Sequence, residues 1–420
     1  MNLSEELAWR GLVKDKTIDN LSWLDEPKNF YHGVDGSSDS LTVGNLAALL
    51  LARRFIDAGW QAILLVGGAT SLIGDPGGKE AERELKSPEE IKTNISAIGA
   101  QVEKLFAGKS FNLVNNQDWF DSVKFLDFLR DTGKHFSMTE LMQRDFITER
   151  MGEGGSGISY AEFSYSLIQG YDFWNLYKNH QTILQIGGSD QWGNMLSGVS
   201  LIRKKEGAQV HALSMPLVVD KATGRKFGKS ETGAVWLDPG KTSPTQFYQF
   251  WINTDDADVE DYLKIFTFLG RAEIEQVMNQ QRHNPAARHA QQTLAKQVTE
   301  LVHGQTDIIA AEGVTKYLTS QVSLAEANSQ DLEELRQSIP VVSVSLGGSV
   351  IDALVQSHLA ASNSDARRLL TSGAVYINGR SAGLDKENFE DGDFQNGHLL
   401  LRRGKAYKDS ALVELKPSQP

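Results

Sequence analysis

The sequence predicts an α/β protein in three parts: a doubly wound parallel-sheet domain, then an α-helical domain, then a small α+β domain. Three observations point there. AILLVGG (62–68) and LQIGG (184–188) are apolar runs that break into glycines, as strands buried on both faces do. Segments with helical spacing lie between such runs, so strand and helix alternate. From about residue 244 the pattern turns helical, and beyond 347 short strand patterns return.

In chain order, residues 4–14 predict a short helix and FYHGVD (30–35) alternates like a strand. LAALLLARRFIDAG (46–59) predicts a helix stopped by Gly59. GGATSLIGDPGGK (67–79) follows the first apolar strand as a Gly-rich turn where backbone can approach a ligand. Helices over 88–106 and 121–131 flank the strand FNLVNN (111–116). TILQIGGSDQWGN (182–194) repeats the theme of apolar strand, glycines, then polar residues opening a helix. The sheet domain is expected over 1–242, the helical domain over 243–322 and a linker over 323–346. The last domain, 347–420, begins with two short helices, IDALVQSHL and SNSDARRLLTSG. The strand AVYINGR then ends in an Asn-Gly turn, and HLLLRRGKAYKDSALVEL supplies two more strands.

A chain of 420 residues is long for one domain. A net charge of −12 excludes a wholly basic nucleic-acid binder, although local patches decide RNA contact. The absence of cysteine excludes disulfides, a thiolate nucleophile and a cysteine zinc site. MNLSEELAWRGLV is charged throughout, unlike a signal peptide, and no run approaches the ~20 apolar residues of a membrane span. The expectation is a soluble cytoplasmic protein. The nine histidines are scattered, with no metal-binding spacing, so no metal site and no zinc are expected.

Five motifs carry chemistry, and each has a plainer reading. Lys226 and Lys229 in KFGKS form either a phosphate clamp or a solvated basic turn. SSDSLTVGN leads into a helix N-terminus, which attracts anions, with Thr42 and Asn45 sharing a face; a simple N-cap explains it too. Tyr165, Gln169 and Asp172 share one helical face and, with Tyr31 and Asp75, suit a zwitterionic amino acid; otherwise they are the solvated side of a helix packed by Phe163, Leu167 and Phe173. In GGSDQWGN, Asp190 suits a ribose hydroxyl or merely caps a helix. Arg367, Arg368, Arg380, Arg402, Arg403, Lys405 and Lys408 form an RNA-backbone patch or an ordinary solvated face. Residues 345–420 hold nine basic and nine acidic residues, so only clustering favours the patch.

The order of these motifs is more telling than any one. With TVGN, GGATSLIGDP, EFSYSLIQGYDF, LQIGGSDQWGN and KFGKS in sequence, the chain closely resembles the bacterial tyrosyl-tRNA synthetases, which are class I synthetases. The resemblance spans nearly the whole chain, including SNSDARRLLTSGAVYINGR, which looks like an S4-type RNA-binding module. It implies a Rossmann-like catalytic domain, a helical anticodon-side domain and an S4-like end. It implies that tyrosine carboxylate attacks the α-phosphate of ATP, pyrophosphate leaves, and the tyrosyl group passes to the 3′ end of tRNA(Tyr). ATP is then a substrate carried with Mg²⁺, and the protein a homodimer, with KFLDFLR (124–130) as a contributor to the interface or to the core.

By matching positions, the resemblance implies that Tyr31 and Asp172 bond the substrate phenol. Asp75, Tyr165 and Gln169 would hold the α-amino group with Asn116 in support, and Gln191 would sit by the carboxylate. Gly188 and Asp190 would hold the ribose with His32 in reach. Gly33, Asp35 and Ser37 would line the nucleotide, and Ser230 would join the loop lysines on it. Lys79, Arg83, Lys226 and Lys229 would clamp the pyrophosphate. TVGN departs from the class I signature His-x-Gly-His. Gly44 is kept, which preserves close approach, and Thr42 and Asn45 replace the histidines. Hydroxyl and amide can each donate a hydrogen bond but carry no charge, so the two are expected to act as substitutes. The rival expectations are an RNA-binding paralogue without catalysis, an enzyme passing tyrosine to another acceptor, and a tryptophan enzyme. Intact KFGKS, the S4-like end, and Tyr31 with Asp172 argue against them in turn.

Overall fold

Six strands build the first sheet: β1 (Asp15–Lys16), β2 (Asn29–Asp35), β3 (Gln61–Gly67), β4 (Phe111–Asn115), β5 (Leu184–Gly188) and β6 (His211–Met215). Their order is β1-β6-β5-β2-β3-β4, parallel throughout except β1, which runs antiparallel to β6. The computed structural model describes residues 1–75, 86–152, 154–219, 221, 224, 227–230, 233–319, 321–404 and 409–416, without the side chains of 145, 146, 149, 229 and 230. It divides into two units, Met1–Asp238 with Asp261–Phe268, and Pro239–Glu260 with Leu269–Pro420.

In the first unit the chain winds outward from β2 through β3 to β4, then returns to the other side of β2 for β5 and β6. The border between β2 and β5 is therefore the topological switch point, and a ligand belongs beyond the carboxyl ends of those strands. Alternation along β2 shows why the sheet is buried on both faces. Phe30 packs on Phe55 at 5.1 Å between ring centroids, and Tyr31 packs on Phe173 at 5.2 Å. Ile63, Leu65, Leu176 and Ile202 join Tyr31 in one core cluster. Each fully buried Leu or Ile of this kind contributes about 1.5–3 kcal/mol.

The helix after β2 spans Val43–Asp57, and Gly59 follows it at φ 90°, a conformation that ends a helix cheaply only at glycine. The helix expected over 4–14 is shorter, Leu3–Trp9, because Gly11 turns the chain toward the pairing of β1 with β6. The helix expected over 121–131 begins at Phe125, after a separate turn of helix at Gln117–Phe120. The long helix Tyr160–His180 starts with a reciprocal cap between Ser159 and Glu162. It packs closely against the helix Trp192–Glu206: a Cβ on Gly198 would lie 2.7 Å from Phe173 Cβ, so only glycine admits this approach.

The second unit carries the helices Pro244–Ile252, Arg271–His283, His289–His303 and Gln305–Leu318. Its five-stranded sheet has the order Arg380–Ala382, Val375–Ile377, His398–Arg403, Ser410–Leu415, Val341–Val344. This corrects the expected linker over 323–346. The helix Ser329–Ser338 packs through Leu335 on Val314 and Leu318, and Tyr317 donates to Asp331 at 2.7 Å. Strand Val341–Val344 then pairs in parallel with Ser410–Leu415, burying Val342 and Val344. A four-residue strand whose partner lies about seventy residues on leaves little local signal. Among the described residues no helix is long and apolar enough to cross a membrane.

Candidate active site

The helix Tyr160–His180 presents Tyr165, Gln169 and Asp172 on one face, as their spacing predicts. Tyr165 and Asp172 are buried and Gln169 is half-buried. Tyr31 on β2 is fully buried, and its hydroxyl has no hydrogen-bond partner among the described residues. Burial holds the Tyr31 phenol well above its ordinary range, and the neighbouring Asp172 carboxylate adds to this. Burial also pushes the Asp172 carboxyl up to about 7, even though two N–H groups oppose that rise. Asn116 Nδ2 donates to Asp172 Oδ2 at 3.1 Å and Trp119 Nε1 donates to Oδ1 at 2.9 Å. Asn116 is thus placed on Asp172, with Oδ1 accepting from the Ala69 amide at 2.7 Å, and not on the amino-group ligands where it was expected. Trp119 escaped the sequence reading; its position three residues after Asn116 in NNQDWF was the available signal.

Asp75 follows the short helix Gly68–Ile73, which stands after β3 where a Gly-rich turn was expected; it is nine-tenths buried, and its Oδ2 accepts from Gln191 Nε2 at 2.6 Å. Gln191 belongs to the 3-10 turn Ser189–Gln191 after β5, so residues from both sides of the switch point meet here. His32 on β2 is buried and sits 3.1 Å from the Ile186 carbonyl through Nδ1. Burial lowers its pKa, so the ring is neutral at pH 7, donates Nδ1–H to that carbonyl and keeps Nε2 as an acceptor. Gly33 and Asp190 are exposed, and Gly188 and Ser37 are half-buried at the same strand ends. Asp35 Oδ1 accepts from Ser71 Oγ at 2.6 Å, which holds the end of β2 to the helix Gly68–Ile73.

At the helix start, Asn45 Oδ1 accepts from the Thr42 amide at 3.0 Å and from Thr42 Oγ1 at 2.8 Å. The expectation that both residues donate to a ligand is therefore revised. The Thr42 proton is already committed, whereas Asn45 Nδ2 has no partner among the described residues. Gly44 between them is exposed. Gly228 of KFGKS reaches this place: a Cβ on it would lie 3.3 Å from the Gly44 amide nitrogen. Phe227 packs on Tyr262 and Phe266 at 4.6 and 5.4 Å between centroids. Lys79, Arg83, Lys226 and Lys405 lie outside the described residues, as do the side chains of Lys229 and Ser230.

In the second unit Arg367 and Arg380 are exposed. Arg368 and Arg403 both face Asp365, which accepts from Arg368 at 2.6 Å. Arg403 also pairs with Asp409 at 3.4 Å. Arg402 lies over the Tyr376 ring at 4.9 Å and donates to the Leu318 carbonyl at 3.4 Å, so its guanidinium is engaged within the fold.

A doubly wound parallel sheet with polar side chains converging at its switch point is the framework of a nucleotide-using α/β enzyme. Residues 24–318 match the family tRNA synthetases class I (W and Y), and residues 331–408 match Tyrosine--tRNA ligase SYY-like C-terminal domain. The chain belongs to the class I tRNA synthetases of this tryptophan and tyrosine family. It is 44% identical over 413 residues to a Tyrosine--tRNA ligase of Citrobacter koseri, covering 96% of each chain. It is 45% identical to the corresponding protein of Salmonella enteritidis, covering 96% of this chain and 97% of that one. A C-terminally truncated mitochondrial tyrosyl-tRNA synthetase of Aspergillus nidulans superposes with a TM-score of 0.67 at 32% identity, over 74% of this chain and 92% of that one.

Proposed function

We propose that the chain is a tyrosine–tRNA ligase, which activates L-tyrosine with ATP and passes the tyrosyl group to the 3′ end of tRNA(Tyr). The observation that carries this reading is the buried Tyr31 hydroxyl beside the buried Asp172. An isolated buried hydroxyl is costly, and a substrate phenol satisfies it by accepting from Tyr31 while donating to Asp172. Phenylalanine would leave the Tyr31 hydroxyl unpaired and give Asp172 no donor beyond Asn116 and Trp119, a form of rejection for which tyrosine-activating enzymes are themselves the reference case. An indole offers no oxygen to accept from Tyr31. Asn116 and Trp119 act at this end by fixing the Asp172 carboxylate.

At the other end of the substrate, Asp75, Tyr165 and Gln169 take the α-amino group and Gln191 meets the carboxylate. The nucleotide lies over Gly33 and Gly44, with Gly188, Asp190 and His32 at the ribose and Asp35 and Ser37 along the phosphates. Attack of the carboxylate oxygen on the α-phosphorus forms the acyl–phosphate bond and breaks the bond to the leaving pyrophosphate. Such a step needs positioning and charge stabilisation more than covalent help. Asn45 Nδ2 supplies a neutral donor at the helix N-terminus. Lys79, Arg83, Lys226 and Lys229 supply the positive charge, with Ser230 beside them, and Mg²⁺ enters with ATP. The enzyme works in the cytoplasm as a homodimer. Phe125 and Leu126, 66% and 75% exposed, contribute the apolar face that a partner subunit covers. Helices of 243–322 face the anticodon side, and Arg367, Arg368, Arg380, Arg403 and Lys405 track RNA phosphates. Arg402 contributes by shaping that surface.

Tyrosine-dependent ATP–pyrophosphate exchange with purified protein and Mg²⁺, without tRNA, tests the reading. Exchange with tyrosine and not with phenylalanine or tryptophan is the expected result. Tyrosine binding without exchange would instead make the chain an RNA-binding relative whose chemistry left with the signature histidines.

A further inference from the structure

A chain of hydrogen bonds runs from Arg144 to Asp75 through three uncharged side chains. Arg144 Nη1 donates to Ser166 Oγ, and Ser166 Oγ donates to Asn194 Oδ1 at 2.6 Å. Asn194 Nδ2 donates to Gln191 Oε1 at 3.1 Å, and Gln191 Nε2 donates to Asp75 Oδ2 at 2.6 Å. Ser166 is 1% and Asn194 5% exposed, so water does not substitute for either partner. The two helices that carry them, Tyr160–His180 and Trp192–Glu206, come close enough for this contact because Gly170 and Gly198 lie at their crossing.

We propose that Arg144, Ser166 and Asn194 are positioning residues that impose one amide orientation on Gln191, with its NH₂ group toward Asp75 and the substrate carboxylate. The direction of the chain follows from its ends. A guanidinium has only donors, so the Ser166 oxygen must accept from it and the Ser166 proton is sent on to Asn194. Asn194 must then turn its oxygen to Ser166 and its NH₂ to Gln191, which turns the Gln191 oxygen away from Asp75. A carboxylate has only acceptors, so the chain closes on Asp75 without conflict. Burial pulls the Arg144 guanidinium down to about 10, and it therefore remains a charged donor at neutral pH. Arg144 is itself held by a second donation, from Nη2 to Ser197 Oγ. Were Gln191 to flip, its oxygen would oppose both the Asp75 carboxylate and the carboxylate of tyrosine. The relay thus prepares the acidic end of the tyrosine site before substrate arrives, and leaves the ATP side untouched.

The proposal rests on placing Gln191 beside the substrate carboxylate, and the experiment separates the two. Pyrophosphate exchange is measured on the full chain for Gln191→Ala, Asn194→Ala, Asn194→Asp and Ser166→Ala, with KM for tyrosine and for ATP taken separately. Asn194→Asp keeps the shape but cannot donate, so it draws the Gln191 NH₂ to itself and forces the wrong orientation. The expected result is a rise in tyrosine KM of about tenfold or more, larger than in Asn194→Ala, with ATP KM within about twofold. Ser166→Ala removes the donor that directs Asn194 and raises tyrosine KM about threefold or more, which keeps the question decidable if Asn194→Asp fails to fold. A larger effect of Ala than of Asp at 194 would assign the residue to packing and overturn the relay. So would equal rises in both KM values, or an unmoved tyrosine KM in Ser166→Ala. If Gln191→Ala itself leaves tyrosine KM unchanged, the assignment of the carboxylate site fails first. If Gln191→Ala raises it and Asn194→Asp does not, only the relay fails.

Discussion

Thr42 Oγ1 donates to Asn45 Oδ1 at 2.8 Å, so the two residues that stand in the class I signature hold each other. The amide of Thr42 bonds the same oxygen at 3.0 Å, which leaves Asn45 Nδ2 as the donor that can turn to a nucleotide. Asn45→Ala is therefore expected to slow adenylate formation by one to two decades, about 1–3 kcal/mol. Thr42→Ala should cost less than that, because its hydroxyl orients Asn45 and does not itself donate to substrate. Single-turnover adenylate formation checks both; an Asn45→Ala enzyme as fast as the parent would refute the substitution.

Tyr31 carries a buried hydroxyl without a partner among the described residues, so removing that hydroxyl should help the free protein while harming the enzyme. Tyr31→Phe is expected to raise unfolding stability by about 1–2 kcal/mol in the absence of tyrosine. The same variant should lose much of its preference for tyrosine over phenylalanine. Urea unfolding and pyrophosphate exchange with both amino acids measure the two effects; a destabilised variant would mean that the hydroxyl is satisfied in the free protein.

Asp172 gives a pH dependence of fixed sign. Its carboxyl titrates near 3.8 when unfolded and at about 7 when folded, because burial disfavours the charge. Between those values the folded state binds the additional proton, so stability falls as pH rises from about 4 to 7 and levels off above. A shift of three units corresponds to at most about 4 kcal/mol. Urea midpoints across pH 4.5 to 8, compared between the parent and Asp172→Asn, should show this part of the slope vanish in the variant. An unchanged slope would place the titration elsewhere.

Phe227 ties the KFGKS loop to Tyr262 and Phe266, and Tyr262 in turn donates to the Val219 carbonyl at 3.2 Å. Phe227→Ala is expected to lower the rate of adenylate formation about tenfold while leaving tyrosine affinity within about twofold, because the role proposed for the loop is at the phosphates. Stopped-flow activation with separate tyrosine binding distinguishes these. Loss of tyrosine affinity would place the loop at the amino-acid end instead.

Phe125→Ser with Leu126→Asp removes the exposed apolar pair at the start of its helix. With the parent expected to sediment as a dimer, the variant should sediment as a monomer. A variant that stays dimeric would exclude this face from the interface.

Much of the site was legible because its residues sit at fixed positions relative to strand ends. Tyr31 lies within the alternating strand FYHGVD, Asp75 and Gln191 lie in the segments after the apolar strands β3 and β5, and the shared face of Tyr165, Gln169 and Asp172 follows from helical periodicity. Trp119, Ser166, Asn194 and Arg144 were not legible. Each has at least one partner distant in sequence, and a lone polar residue carries no mark of which neighbour it meets. The strand Val341–Val344 was missed for the same reason, since its pairing with Ser410–Leu415 is non-local.

By itself the sequence determined the alternation of strand and helix, the order of the motifs and the set of groups available for chemistry. Those properties are local, governed by burial period, turn residues and side-chain type. Tertiary structure alone decided which hydrogen-bonding groups remain open. Asn45 keeps a donor and Thr42 does not, Asn116 donates to Asp172, and Gln191 turns its oxygen to Asn194. Such outcomes depend on matching donors to acceptors across elements far apart in the chain, within a buried space where each unmatched group is costly.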